Sequence, residues 1–261
     1  MAPAPWRPLA RLGDLLVPLA CAGCGARGIV LCPGCSGLLG APARCEDGAP
    51  RLDRTDGMPP LPVWALATLR GPVHGLVVAW KDGGRRDVDA TLGAAMARAG
   101  RSLATAVVAV AGPRVDVVPV PSSPRSTLRR GCVPVEGLAA GLAAGLSAGG
   151  AAARATPGAL RRRAGVRDQA GLGRDARGRN IAGALVARAA TSGAPVLVVD
   201  DVLTTGATLA AVHDALVASG RCVLGAVVLA ATPVSPGAGP VGAGRRTFGD
   251  ASGPVGTIGS A

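Results

Sequence analysis

The chain has 261 residues and a formal charge of +12, with an apolar share of 49% but only 2% aromatics. That length bounds it to one ordinary domain plus a small module, and Ala, Val, Leu and Gly must fill the core. The charge points to an anionic partner, whether nucleic acid, a phosphorylated metabolite or a membrane surface. The scarcity of aromatics counts against gripping single strands by base stacking alone.

The N-terminal segment mimics a secretory signal at Leu15–Cys21, LLVPLAC. Asp14 and Pro18 interrupt it, and Cys21 belongs to a repeated pattern, so the expected location is cytoplasmic. No run of about 18 apolar residues occurs, and no membrane span is expected. Cys21-x2-Cys24 and Cys32-x2-Cys35 are two knuckles seven residues apart. Four thiolates so spaced can converge tetrahedrally on one Zn²⁺, with Gly23, Gly25 and Gly34 supplying tight turns. A module this small buries little core, so the metal would hold it together, at about 10–16 kcal/mol in zinc-finger peptides. The alternative, a disulfide framework, needs an oxidising compartment that nothing in the sequence indicates. With four Cys ligands such a zinc is structural. Cys45 is left over, and Cys132 and Cys222 read as ordinary loop and strand cysteines. Ala43–Pro60 is polar and turn-prone and reads as a linker, closing a module over 1–60.

From there, apolar runs alternate with helical periodicity. Pro62–Leu69 is a first strand. Arg86–Val110 is a helix with Leu92, Ala95, Met96, Ala99 and Leu103 on one face. Val115–Pro121 is a buried strand, Val135–Leu146 a helix, Val196–Asp201 a strand, Thr205–Ser219 a helix and Val223–Ala230 a strand. The alternation predicts a doubly wound α/β domain over 61–232 with a parallel sheet covered on both faces. Residues 233–261 are Gly, Pro, Ser and Ala with few core formers, the composition of a disordered tail. Residues 161–180 carry seven Arg against two Asp.

The most informative stretch is VLVVDDVLTTGAT, Val196–Thr208. A buried strand delivers Asp200 and Asp201 at its carboxyl end, where open α/β sheets bind ligands. Thr204, Thr205, Gly206, Ala207 and Thr208 then turn into a helix whose first N–H groups are unpaired and suit a phosphate. The carboxylates can accept from ribose hydroxyls or hold a hydrated Mg²⁺. Rival phosphate motifs fail. The single lysine, Lys81, precedes Asp82, so there is no P-loop; Gly171–Ala176 formally matches G-x-G-x-x-A but follows a polar stretch instead of a strand. His74 and His213 lack any nucleophile context and read as structural.

Val196–Thr208 resembles the phosphoribosyl-pyrophosphate (PRPP) motif of type I phosphoribosyltransferases. More narrowly, the chain is similar to ComF-type competence proteins, the double zinc ribbon or amidophosphoribosyltransferase-like group. The resemblance runs over about 10–232: the cysteine knuckles, Lys81-Asp82-Gly83, VPVP followed by Arg130-Gly131, Leu160-Arg161, Arg167 with Gln169, Arg177 with Asn180, then the PRPP motif. The chain departs from the family in having only Cys45 after the first four cysteines, and Cys132-Val133-Pro134 after Gly131. The resemblance implies a type I phosphoribosyltransferase-like sheet flanked by helices. It puts the 5′-phosphate on Thr204–Thr208 and the ribose on Asp200 and Asp201. Pyrophosphate would meet the loop Ser122–Arg130 through Arg125, Arg129 and Arg130, and Arg167, Gln169, Arg177 and Asn180 would sit on a mobile catalytic loop over 161–180. Asp200, Asp201, Arg167 and Arg177 are the catalytic candidates; Lys81 faces a phosphate or ends a solvated helix. The cofactors implied are structural Zn²⁺ and Mg²⁺ with PRPP. The partners implied are PRPP or a nucleotide-like molecule, single-stranded DNA or the DNA-uptake machinery, and a second copy of the chain. The activity is phosphoribosyl transfer to a nitrogen nucleophile, or a non-catalytic role in DNA uptake.

Overall fold

The structure is a computed structural model that describes residues 19–53, 59–122, 133–162, 185–188 and 192–233. Its centre is a six-stranded sheet in the order β1 (Ala43–Arg44), β2 (Val63–Thr68), β8 (Val223–Ala231), β7 (Val196–Leu203), β3 (Arg114–Pro119) and β4 (Ala152–Ala155). All neighbours run parallel except β1, which is antiparallel to β2. A separate hairpin joins β5 (Leu160–Arg162) to β6 (Leu185–Ala187).

Strand alternation sends side chains to both faces, and each face is covered, which is why the strands read as unbroken apolar runs. A short helix α1 (Pro33–Gly37) follows the third cysteine of the N-terminal set. Leu197 and Val199 of β7, with Trp64, Leu66, Val115 and Val117, meet a core built from α2 (Gly71–Lys81), α3 (Asp89–Ala111) and α4 (Pro134–Ala148). Val196 and Val198, with Val63, Val118 and Val228, meet α5 (Ala207–Ala218), the β5–β6 hairpin and the residues around Ala49 and Leu52. From β3 the chain leaves through α4 to the edge strand β4. From β7 it leaves through α5, on the other face, to β8. The carboxyl ends of β3 and β7 therefore flank a topological switch point.

The helix layer solves the shortage of aromatics by close approach. A Cβ built on Gly145 would lie 2.0 Å from the Ala97 carbonyl oxygen, one on Gly141 2.3 Å from that of Gly93, and one on Gly100 2.4 Å from that of Leu142. Backbones this close leave no volume for larger side chains between α3 and α4. The few large groups are satisfied: Trp80 is fully buried, and its Nε1–H donates to Asp89 Oδ1 at 2.6 Å. At the amino end of the sheet, buried Asp116 accepts from Arg154 at 3.0 Å, from Ser192 at 2.9 Å and from Arg221. Burial alone would raise the Asp116 pKa; these donors outweigh it and lower it.

The seven expected strands and helices are present within a few residues. Three features differ. The linker expected at Ala43–Pro60 is, over 43–53, part of the fold. Ala43 and Arg44 pair with Ala65 and Trp64, and two 3₁₀ turns, Glu46–Gly48 and Pro50–Leu52, follow. Ala49 and Leu52 are 0% and 3% exposed. Buried Glu46 accepts N–H bonds from Cys45 and Val63 at 3.2 and 3.3 Å and pairs with Arg44. Turn-forming residues here build fixed turns. Second, the helix end offered as one alternative at Lys81 belongs to α2, whose start the sequence hides because Gly71-Pro72 reads as a turn, whereas Pro72 opens a helix. Third, Arg86–Ala111 is long and apolar enough, by length and composition, to cross a membrane. Arg98 and Arg101 interrupt its apolar run, and its buried residues Leu92, Met96, Leu103 and Val107 lie in the core. The tail from 234 and the segment 54–58 lie outside the described residues.

Gly145→Val should cost at least about 1–3 kcal/mol from overpacking. Gly137→Ala, where a Cβ meets nothing within 4 Å, should gain up to about 1 kcal/mol of helix propensity. Urea midpoints of the two variants check this; an equal loss in both would contradict the close-packed seam.

Candidate functional site

The alternation of β7 carries on past Val199. It directs Asp200 to the α5 side of the sheet and Asp201 to the α2 side. Both residues are buried, at 9% and 7% exposure. On the α2 side the Lys81 ammonium meets Asp201 Oδ2 at 2.5 Å. The Asp201 backbone N–H donates to Asp200 Oδ1 at 2.8 Å. Burial and then the neighbouring Asp201 charge push the Asp200 carboxyl up to about 8, against the pull of that N–H, Lys81 and Arg162.

Beyond β7 the chain turns through Thr204 and Thr205 into α5. Gly206 sits at φ +83°, a conformation glycine adopts freely. A Cβ there would also lie 2.6 Å from Leu52 Cγ. The Arg51 N–H donates to the Thr205 carbonyl at 3.0 Å, so the 3₁₀ turn at 50–52 braces the loop from behind. The first intrahelical bond after the turn runs from Ala210 N–H to Gly206 O at 2.9 Å. The N–H groups before it in the first turn have no intrahelical acceptor.

These groups enclose a cavity of about 430 Å³ at the carboxyl ends of β3 and β7. Asp200, Asp201, Thr204 and Thr208 line it, together with Lys81, Ser122, Arg162 and an apolar wall of Val120, Pro121, Pro134 and Val135. Carboxylates, hydroxyls, unpaired N–H groups and two cations thus converge in one crevice. That combination can hold a polyol through the acids and an anion through the loop. A larger cavity of about 730 Å³, beside β1, β2 and β8, has Arg44 and Arg70 in its lining but no carboxylate.

Of the residues singled out in the sequence, Asp200, Asp201, Thr204–Thr208 and Lys81, which ends α2 and meets Asp201, come together. Arg125, Arg129, Arg130, Arg167, Gln169, Arg177, Asn180 and Cys132 lie outside the described residues. Ser122 and Pro134, which flank 123–132, and Arg162, which precedes 163, line the cavity. Ser122 opens the loop Ser122–Arg130 expected at the pyrophosphate, and Arg162 belongs to the Arg-rich segment 161–180 expected as the mobile loop; these are the described residues of those two segments that reach the cavity, although neither was named as an individual contact. His74 is exposed, and among the described residues His213 pairs with its neighbour Asp214.

The four thiol sulfurs of Cys21, Cys24, Cys32 and Cys35 all lie within 4.8 Å of one another. Cys24 and Cys32 Sγ are 3.7 Å apart. Tetrahedral sulfurs at about 2.3 Å from Zn²⁺ are about 3.8 Å apart, so the set fits such an ion. Cys32 N–H points at Cys21 Sγ at 3.3 Å and Cys35 N–H at Cys32 Sγ at 3.4 Å, the backbone donation that supports thiolate ligands. Burial opposes ionisation of Cys21, but the N–H groups of Cys24, Cys32 and Gly23 bring it down to about 6. Burial and the three neighbouring sulfurs push Cys35 up, the mutual cost that a bound cation removes. Cys45 stands apart from the set. Its thiol bonds the Val63 carbonyl, and burial first, then Glu46, pushes it up to about 12. No family model matches the chain, and neither does any curated protein.

Two outcomes are expected. Purified protein should carry about one zinc per chain by elemental analysis, and Cys24→Ser should lose most of it; full zinc in the variant would contradict the assignment. Asp200 is raised from 3.8 to about 8, so its neutral form stabilises the fold below pH 4, and that contribution falls away as pH rises towards 8. Asp200→Asn keeps the acceptor oxygen without the charge. It should therefore be more stable than the parent above pH 8, by on the order of 1–3 kcal/mol, with the gap closing towards pH 4. Melting curves across that range test the sign.

Proposed function

We propose that the protein binds PRPP, or a related ribose 5-phosphate ligand, as a ComF-like phosphoribosyltransferase-type protein, and transfers the phosphoribosyl group to a nitrogen nucleophile. The observation that carries this reading is the pair of buried carboxylates beside the start of α5 in the switch-point cavity. Two adjacent acids suit the vicinal hydroxyls of a ribose, and a helix start one turn further on suits its 5′-phosphate. The ordered motifs from the cysteine knuckles to Val196–Thr208 support the family assignment.

In such a reaction the nitrogen lone pair forms the bond to ribose C1 as the C1–O bond breaks. Pyrophosphate leaves with the electron pair, and the nitrogen gives up a proton. The chain's own part is positioning and charge. The loop Thr204–Thr208 fixes one end of the sugar, Asp200 and Asp201 hold the hydroxyls, the Asp201 carboxylate offsets positive charge at C1, and the apolar wall of Val120, Pro134 and Val135 limits water. Mg²⁺ bound to the diphosphate would supply further neutralisation of the leaving group, and the carboxylates are the residues that would meet its water shell.

A second reading, an accessory role in DNA uptake, is favoured by the charge of +12 and the cysteine module. It predicts single-stranded DNA binding that weakens steeply with salt. For the first reading, calorimetry with PRPP and Mg²⁺ should show binding to the parent protein and at least a tenfold loss in Asp200→Ala/Asp201→Ala. Unchanged affinity in a folded double variant would refute it.

A further inference from the structure

Of the 28 Lys and Arg residues, one is a lysine, and it stands in the ligand cavity. A composition that places arginine at every other basic position keeps an ammonium here. The two cations are not equivalent. Lysine is a compact, strongly hydrated point charge with three N–H donors, arginine a broad planar fork. The position is also fixed. Lys81 closes the last turn of α2, directly after the fully buried Trp80, whose indole is tied to Asp89. Just beyond it, the Arg85 guanidinium bonds the Ala20 carbonyl at 2.9 Å and Asp87. The stem therefore projects from an anchored helix end, and the side chain is 37% exposed at the cavity wall.

Its described partner is Asp201, at 2.5 Å. Asp201 is also one of the two acids read as ribose acceptors, so the ammonium and a sugar hydroxyl compete for the same carboxylate. A ligand that takes Asp201 separates the ammonium from its counter-charge; solvent reaches the 37% exposed side chain and keeps that cost small, and a ligand that brings an anion of its own replaces the lost partner. The loop Thr204–Thr208 provides for one phosphate with neutral donors. A second anion on the same sugar has Lys81, and Arg162 across the same cavity, to meet it.

We propose that Lys81 is a specificity-determining residue that selects sugars carrying a second anionic group at C1 over sugars with a 5′-phosphate alone. On entry of a doubly anionic ligand the ammonium moves from Asp201 to that second group, and Asp201 turns to the sugar hydroxyls. With a singly phosphorylated sugar the Lys81–Asp201 pair stays intact and opposes binding. This inference rests on the phosphoribosyl reading of the loop.

The experiment compares PRPP with ribose 5-phosphate, each with Mg²⁺, by calorimetry on the parent, Lys81→Gln and Lys81→Arg. Lys81→Gln should lose PRPP affinity by about 10- to 100-fold, the range for a hydrogen bond to a charged group. Its affinity for ribose 5-phosphate should hold or rise, since Asp201 is released. Lys81→Arg should recover only part of the loss. A parallel fall for both ligands, or no change for either, would overturn the proposal. Because Lys81 is the single lysine, acylation mapped to its peptide by mass spectrometry gives a second readout on the unmodified sequence. PRPP should protect the ε-amine and ribose 5-phosphate should not; equal protection overturns the proposal without reference to any variant. A parent protein that binds neither sugar would overturn both this inference and the site reading beneath it. Binding of both sugars with no Lys81 effect overturns this inference alone.

Discussion

Asp200 and Asp201 stand side by side at the end of a central parallel strand, nearly enclosed, and the surrounding structure is arranged so that this is tolerable. Two adjacent buried carboxylates cannot both ionise cheaply. The Asp201 N–H and the Lys81 ammonium partly compensate them, and burial with the neighbouring charge pushes Asp200 up to about 8. Strand alternation separates the two acids, one towards each helical layer. Each layer then supplies its own contribution: α2 brings Lys81, while α5 brings the turn and the unpaired N–H groups. The cavity follows from this arrangement at the point where β3 and β7 send the chain in opposite directions.

The segments that flank the site serve it from behind. The 3₁₀ turn at Pro50–Leu52 is braced against Gly206 and hydrogen-bonded to Thr205. The cysteine module leans on α2, where a Cβ on Gly75 would lie 2.6 Å from the Gly23 carbonyl oxygen. The same α2 ends in Lys81. Both N-terminal segments thus contact elements that carry ligand-facing groups, and small residues allow the contacts.

Much of this was legible from residue pattern. Val196–Thr208 announced a buried strand, an acid pair and a helix start because each leaves a local mark: an apolar run, two charges at its end, and Thr-Thr-Gly at a turn. The two C-x2-C knuckles announced a four-thiol cluster because their spacing is itself the geometry. Other features were not legible because they are made at a distance. Ala43–Leu52 looked like a linker, since its turns are stabilised by a buried Glu46 and by packing on Gly206 that no local pattern encodes. The helix Gly71–Lys81 was hidden by a Gly-Pro start. The contact between Lys81 and Asp201 spans 120 residues of chain, and Arg162, though inside the Arg-rich segment that the sequence marks, is brought to the cavity by the pairing of β5 with β6.

The most direct measurement of the central claim is a crystal structure of the protein with PRPP and Mg²⁺. The account predicts the 5′-phosphate within hydrogen-bonding distance of the backbone N–H groups and hydroxyls of Thr204–Thr208, with the ribose hydroxyls on Asp200 and Asp201. A ligand seated in the larger cavity beside β1, β2 and β8, or a sugar in this cavity with its phosphate turned away from the start of α5, would contradict it.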